Sequence, residues 1–169
     1  MKLETERLII RSATEHDSDF CLSIWLDEEM GKYLSDPPCN QASESYLNFA
    51  VDIEKDTSWM PFIAIRKDTM ELIGTCSLVP NYETCICDLG ICVHSCFQHQ
   101  GYATEIIRAL IKYASMFGCL KLTAEVAKEN TASNAVFCKL GFYVEKETCF
   151  RKANTEIEYD SYIYCLHLK

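Results

Sequence analysis

Gln98-His99-Gln100-Gly101-Tyr102-Ala103-Thr104 runs directly into a long amphipathic stretch, and this junction decides how the rest of the chain is read. The stretch predicts a helix over Ala103 to Phe117. Ile106, Ile107, Leu110, Ile111, Ala114 and Phe117 recur at helical spacing as one apolar stripe, and Gly118 is placed to end it. Before the junction, Thr84 to His94 reads as a strand. A glycine-containing loop between a strand and the mouth of a helix can aim several backbone N–H groups at one point. The helix dipole adds partial positive charge there, which suits a diphosphate. Such a site needs small residues: Gly101 lets the backbone close in, and Ala103 avoids a clash in the first turn.

Outward from the junction, the period of the apolar residues changes several times. Leu8 to Arg11 predicts a short strand, and Asp17 to Leu26 a helix with Phe20, Cys21, Ile24 and Trp25 on one face. Tyr46, Leu47, Ala50 and Val51 repeat that pattern behind Ser43, a candidate cap. Phe62 to Arg66 and Leu72 to Leu78 read as strands joined by a charged turn. Leu120 to Val126 is another strand, and Asn130 to Leu140 a short helix closed by Gly141. Phe142 to Phe150 and Glu158 to Leu168 finish as a strand pair. The expected order is β-α-α-β-β-β-α-β-α-β-β, an α/β chain with a mixed sheet and helices on its faces.

At about 150 residues per domain, the 169 residues predict a single domain spanning 1–169. No apolar run approaches the roughly 18 residues of a membrane-spanning helix, and the acid-bearing N-terminus has no apolar core, so neither a membrane partner nor a secretory signal is expected. Sixteen basic against 25 acidic side chains give a formal charge of −9, which argues against a nucleic-acid partner and mildly favours a cationic one. The 11 cysteines, with no signal sequence, read as free thiols in a reducing cytoplasm. A metal site around Cys85, Cys87, Cys92, His94 and Cys96 is the competing reading. It lacks any C-x-x-C pair. On a regular strand Cys85 and Cys87 would face away from Cys92, so no metal is expected.

The loop is similar to the pyrophosphate loop of the GNAT superfamily of acetyl-CoA-dependent N-acetyltransferases, Gln/Arg-x-x-Gly-x-Gly/Ala, through Gln98, Gly101 and Ala103. The family's later signature resembles Asn130-Thr131-Ala132-Ser133 and Lys139-Leu140-Gly141-Phe142. The opening Thr5-Glu6-Arg7-Leu8-Ile9-Ile10-Arg11, with Asp17, Asp88-Leu89-Gly90 and Asp160, looks like the branch acetylating ribosomal-protein N-termini, the RimJ/RimL-like group. The resemblance covers essentially the whole chain. It implies the GNAT fold, a central mixed and largely antiparallel sheet of about seven strands flanked by four helices.

The resemblance also implies a mechanism, with acetyl-CoA as donor and a primary amine as acceptor, in a monomer or homodimer. The diphosphate would lie on the backbone of Gln98, His99, Gln100, Gly101, Tyr102, Ala103 and Thr104. The pantetheine would pair as a pseudo-strand with the strand carrying Ile91, Cys92 and Val93, where Gly90 would permit a bulge. Asn130, Ser133, Asn134 and Phe137 would complete the coenzyme site. A backbone N–H near Cys92 or Val93 would polarise the thioester carbonyl. The amine would then attack directly, deprotonated by Asp88 or His94.

Two positions depart from the family pattern. His99 stands where many relatives have Gly, and Phe137 where many have the tyrosine that protonates the departing thiolate. Ser133 matches the serine used nearby in the resembled branch. Each of these residues also has a purely structural reading: Ser133 and Asn130 as helix-start groups, Asp88 as a hydrogen-bonding carboxylate, His94 as a loop imidazole, Cys92 and Cys138 as core. Trp59 is the aromatic expected to reach the acceptor, among Trp25, Tyr33, Tyr159, Tyr162 and Tyr164. A non-catalytic acyl-CoA-binding module on the same fold is the alternative function.

Overall fold

The structure is a computed structural model that describes residues 1–51, 53 and 58–168, apart from the side chains of residues 49 and 51. The Val51 side chain, expected on the second helix's apolar stripe, therefore lies outside the described residues. The strands are β1 (Lys2–Glu4), β2 (Leu8–Ser12), β3 (Met60–Arg66), β4 (Leu72–Asn81), β5 (Ile86–Val93), β6 (Lys121–Ala127), β7 (Tyr143–Arg151) and β8 (Glu158–His167). The helices are α1 (Ser18–Trp25), α2 (Glu44–Val51), α3 (Tyr102–Met116) and α4 (Thr131–Lys139). The strands form one sheet in the order β1-β2-β3-β4-β5-β6-β8-β7. All neighbours are antiparallel except β5 and β6. The extra strand β1 went unread in the sequence because three residues, none of them fully buried, leave no period to detect.

Alternation along the strands splits the core into two layers. Leu8, Ile10, Phe62 and Ala64 pack with Ile106, Ile107 and Leu110 of α3 and with Phe137 of α4. Ile63 and Ile65 of the same strand face the other way, onto Cys21, Ile24 and Trp25 of α1 and Ala50 of α2. The sheet is thus covered by α3 and α4 on one face and by α1 and α2 on the other. Arg11 fixes α1 to the sheet: its guanidinium takes both oxygens of the buried Asp17 carboxylate at 2.7 and 2.8 Å. Burial works to raise the Asp17 pKa, but Arg11 and the Thr14 N–H and hydroxyl hold it below the ordinary carboxylate value.

Two expectations need correcting. The third expected strand starts at Ile86 rather than Thr84. Asn81 accepts the N–H groups of Glu83 and Thr84 in an Asx turn, and Cys85 adopts a left-handed φ of 55°. Cys85 is therefore on a turn, Cys87 is buried in the α3 layer and Cys92 lies on the opposite face. The expected bulge at Gly90 is also absent, since the β4–β5 register runs unbroken from Asn81↔Ile86 to Gly74↔Val93. A Cβ at Gly90 would come within 2.7 Å of Ser77 Oγ, which would have to turn aside.

Candidate active site

The sheet opens between its two parallel strands. β5 and β6 pair only at Ile86↔Lys121, Cys87↔Leu122 and Asp88↔Thr123. Beyond Asp88 the strands part, leaving the outer edge of β5 from Leu89 to Val93 without a strand partner. The parity of the β4–β5 ladder tells which groups face this wedge. His94 N–H donates to Ile73 at 2.9 Å, in register with the ladder, so Cys92 and Gly90 also turn their peptide groups towards β4. Ile91 and Val93 turn theirs to the wedge. Of the N–H groups expected near Cys92 or Val93, that of Val93 faces the wedge and that of Cys92 faces β4.

The loop following β5 closes the wide end of the wedge. Gln98 folds back so that its side-chain amide donates to Val93 O at 2.9 Å, and Gln100 does the same to Cys96 O at 3.0 Å. His99 (φ 58°) and Gly101 (φ 82°) are both left-handed, turning the chain into the first turn of α3. A left-handed backbone favours glycine, so His99 holds a conformation that costs its side chain strain. The N–H groups of Gly101, Tyr102, Ala103 and Thr104 open α3 without acceptors inside it, and among the described residues none finds an acceptor elsewhere. Four aligned donors at a helix N-terminus form a concave anion site. The Tyr102 ring is not part of it. That ring is buried under the Arg7 guanidinium, 4.3 Å from its centroid, so Tyr102 offers only its main chain.

Helix α4 borders the wedge from β6. Asn130 caps it, its Oδ1 accepting Ser133 N–H at 3.2 Å, and the Ser133 hydroxyl meets no protein partner among the described residues. Asn134 corrects an expectation. Its amide donates to Ala127 O, Lys128 O and Asn130 O, and its Oδ1 accepts Tyr164 OH at 2.8 Å, so the side chain is spent on holding α4 to β6 and β8. Phe137 is buried between Phe142 and Tyr164, with ring centroids 5.0 and 5.6 Å away. Cys138, expected in the core, is exposed.

On the α1–α2 face a cavity of about 320 Å³ touches β5 along Asp88, Gly90, Ile91 and Cys92. Trp25 and Trp59 line it with ring centroids 6.2 Å apart, and Asp36 completes the wall. Tyr33 and Tyr159 instead pair with each other at 5.4 Å, and Tyr162 and Tyr164 pack on the α4 face. His94 does not line the cavity. Its Nδ1 accepts Cys96 N–H and caps the short turn Ser95–Phe97. Burial pushes the Cys92 thiol up to about 12, assisted by Asp36 and Asp27, which removes it as a nucleophile near neutrality.

Asp88 lies at the lip of this cavity and accepts the Thr123 hydroxyl at 2.8 Å. Its carboxylate is reachable by solvent yet set in a concave wall dense with protein atoms. That desolvation raises its pKa; the Thr123 hydroxyl opposes the shift and the Glu125 charge adds to it. The sequence reading missed what holds the opposite wall. Buried Lys152 donates to Gly31 O at 2.7 Å and Leu34 O at 3.0 Å, and Ala153 N–H donates to Ser35 O at 2.8 Å. Burial lowers the Lys152 pKa, with Asp36 opposing. A lysine beside Arg151 in a hairpin turn reads as solvated, so the sequence carries no signal for this role.

The sequence model of the acetyltransferase (GNAT) domain matches residues 7–143, most of the chain. The uncharacterized N-acetyltransferase p20 of Bacillus licheniformis is 29% identical over 147 residues, covering 85% of this chain and 83% of its own. Spermidine N-acetyltransferase from Vibrio cholerae, solved with CoA and spermine, superposes with a TM-score of 0.82 at 18% identity, covering 96% of each chain. The ribosomal L7/L12 α-N-protein acetyltransferase RimL, solved with coenzyme A, gives 0.80 at 18% identity over 99% of this chain and 98% of that one. An open wedge beside an anion loop is what an acyl-CoA transferase requires, and this chain belongs to the GNAT acetyltransferase family. It is an acetyl-CoA-dependent N-acetyltransferase, with acetyl-CoA as its acyl donor.

Proposed function

We propose that the acceptor is a small cationic primary amine and that it attacks acetyl-CoA directly in a ternary complex. The observation that carries this reading is the double use of β5. Its outer edge faces the wedge, while Asp88, Gly90 and Cys92 floor the cavity on the α1–α2 face. Donor and acceptor can therefore meet across one strand with no acyl-enzyme between them. At about 320 Å³ the cavity is near the lower end of small-molecule sites, roughly 300–1,000 Å³. Two tryptophan faces and two carboxylates suit an ammonium group.

In this reading the diphosphate lies on the N–H groups of Gly101 to Thr104, beside His99. The pantetheine pairs with Ile91 and Val93. An N–H of that pair stabilises the oxyanion, a contribution of roughly 3 kcal/mol. Asp88, its proton affinity raised, takes the ammonium proton directly or through water. The Ser133 hydroxyl relays to the departing thiolate the proton that the nitrogen sheds as the amide forms, leaving free CoA thiol and a neutral serine, a step that Phe137 cannot perform. We also place the protein in the cytoplasm, since all 11 cysteines are free thiols.

The RimJ/RimL-like reading, with a protein N-terminal α-amine as acceptor, is favoured by the Thr5 to Arg11 motif and by the fold likeness to RimL. Incubation with acetyl-CoA and separate panels of diamines, amino sugars and short peptides, read by product mass, decides between them. Acetylated diamine or amino compound supports the proposal. Acetylation confined to peptide N-termini replaces it with the branch reading.

A further inference from the structure

The anion loop is braced from outside by the turn between β1 and β2. Arg7 Nη1 donates to Gln100 O at 3.0 Å. Its Nε and Nη2 both reach Glu105 Oε2 at 2.7 Å. The other oxygen of Glu105 accepts the Arg7 main-chain N–H at 2.9 Å and the Thr5 hydroxyl at 2.5 Å. Burial works to raise the Glu105 pKa, but these donors together keep it low, so the carboxylate stays charged and the brace closed. The guanidinium also covers the Tyr102 ring, and its Nη2 lies 3.5 Å from where a Cβ on Gly101 would stand.

One consequence follows from peptide geometry. In a trans peptide the C=O of one residue and the N–H of the next point in opposite directions, and among the described residues no peptide bond is cis. By gripping Gln100 O, Arg7 turns the Gly101 N–H away from the β1–β2 turn. Of the two residues beside this peptide unit, Gly101 is left-handed, and glycine resists rotation there least. We propose that Arg7, held by Glu105 and Thr5, is a positioning residue for the coenzyme's diphosphate, fixing the Gln100–Gly101 peptide so that its N–H is aimed before the ligand arrives. This rests on the reading of Gly101 to Thr104 as the diphosphate site. Three of the five guanidinium N–H groups of Arg7 are taken by Glu105 and Gln100, which hold it against the loop, where it acts through the Gln100–Gly101 peptide.

The two roles give opposite outcomes when the brace is cut from the far side. Glu105→Gln removes a negative charge beside the anion site. If charge alone mattered, affinity for acetyl-CoA would rise; if Arg7 is a brace, it falls. Calorimetric titration of acetyl-CoA into wild type, Arg7→Lys and Glu105→Gln is the test, with thermal unfolding of each protein. Titration of S-acetylpantetheine, which lacks the diphosphate, followed by amide NMR supplies the control. The expected results are tight binding by wild type, about tenfold weaker binding by Arg7→Lys, weaker binding by Glu105→Gln, and acetylpantetheine affinity unchanged throughout. Wild-type affinity in Arg7→Lys, or unchanged or tighter binding by Glu105→Gln, overturns the brace alone. Parallel loss of acetylpantetheine affinity also overturns it, by showing general damage. Absence of acetyl-CoA binding by folded wild type overturns the diphosphate site together with the brace. Should Arg7→Lys fail to fold, the sign of the Glu105→Gln change decides.

Discussion

The two sides of β5 are built from different material. Towards the wedge and the loop, the groups presented are main chain: the peptide edges of Ile91 and Val93 and the N–H groups of Gly101 to Thr104. Towards α1 and α2 they are side chains drawn from distant segments, Trp25, Asp36, Trp59 and Asp88. A coenzyme common to a whole family can be bound by backbone, which tolerates wide sequence change. An acceptor particular to one enzyme has to be bound by side chains. The coenzyme side should therefore fail when its backbone path is blocked or its peptides are misaimed, and the acceptor side should respond residue by residue.

The hardest way to break the coenzyme side is Gly101→Glu, which places a side chain at a left-handed position and an anion at the donors. Acetyl-CoA affinity is expected to fall roughly a thousandfold in a titration, with the fold retained. On the other face, Asp17→Asn leaves Arg11 without its carboxylate and is expected to cost about 3 kcal/mol in denaturant unfolding. The same pair makes stability depend on pH. The Asp17 pKa is lowered by folding, so its contribution is fully present above the unfolded value of about 3.9. It is lost as the pH falls through the lower folded value.

Asp88→Asn is expected to lower kcat/KM for the amine about a hundredfold while leaving acetyl-CoA affinity intact. The wild-type rate should rise with pH through a value above the usual carboxylate range, and the variant should lose that acidic limb. Trp59→Leu sharpens the comparison further: a roughly tenfold higher KM for the amine, with KM for acetyl-CoA unchanged. The smallest effect belongs to His99→Gly. Relief of the left-handed backbone is expected to stabilise the protein by about 0.5–1 kcal/mol, read as a small rise in Tm, without loss of coenzyme binding.

The same division explains what could be read in advance. The α3 stripe, the strand before it and the glycine between them form a local pattern, so the fold and the strand–loop–helix junction were legible. The strand boundaries and β1 were less so, because Cys85 leaves the strand through an Asx turn and β1 is only three residues long. The acceptor wall is not local. Asp36 belongs to it because Lys152, more than a hundred residues away, pins Gly31 and Leu34, and no spacing rule connects them. His94 is near β5 in sequence, yet it lies past the end of that strand and spends its ring on a turn. Tyr164, an aromatic that the sequence leaves open between an amine pocket and the core, faces α4 because it stands opposite Ala124, in a β6–β8 register that only the folded sheet fixes.

The meeting of donor and acceptor across β5 is tested most directly by initial rates with acetyl-CoA and the preferred amine both varied. Intersecting reciprocal plots, with no acetyl label left on the protein when the amine is withheld, are the expected result. Parallel plots, with a stoichiometric acetyl group carried on the chain, would contradict it.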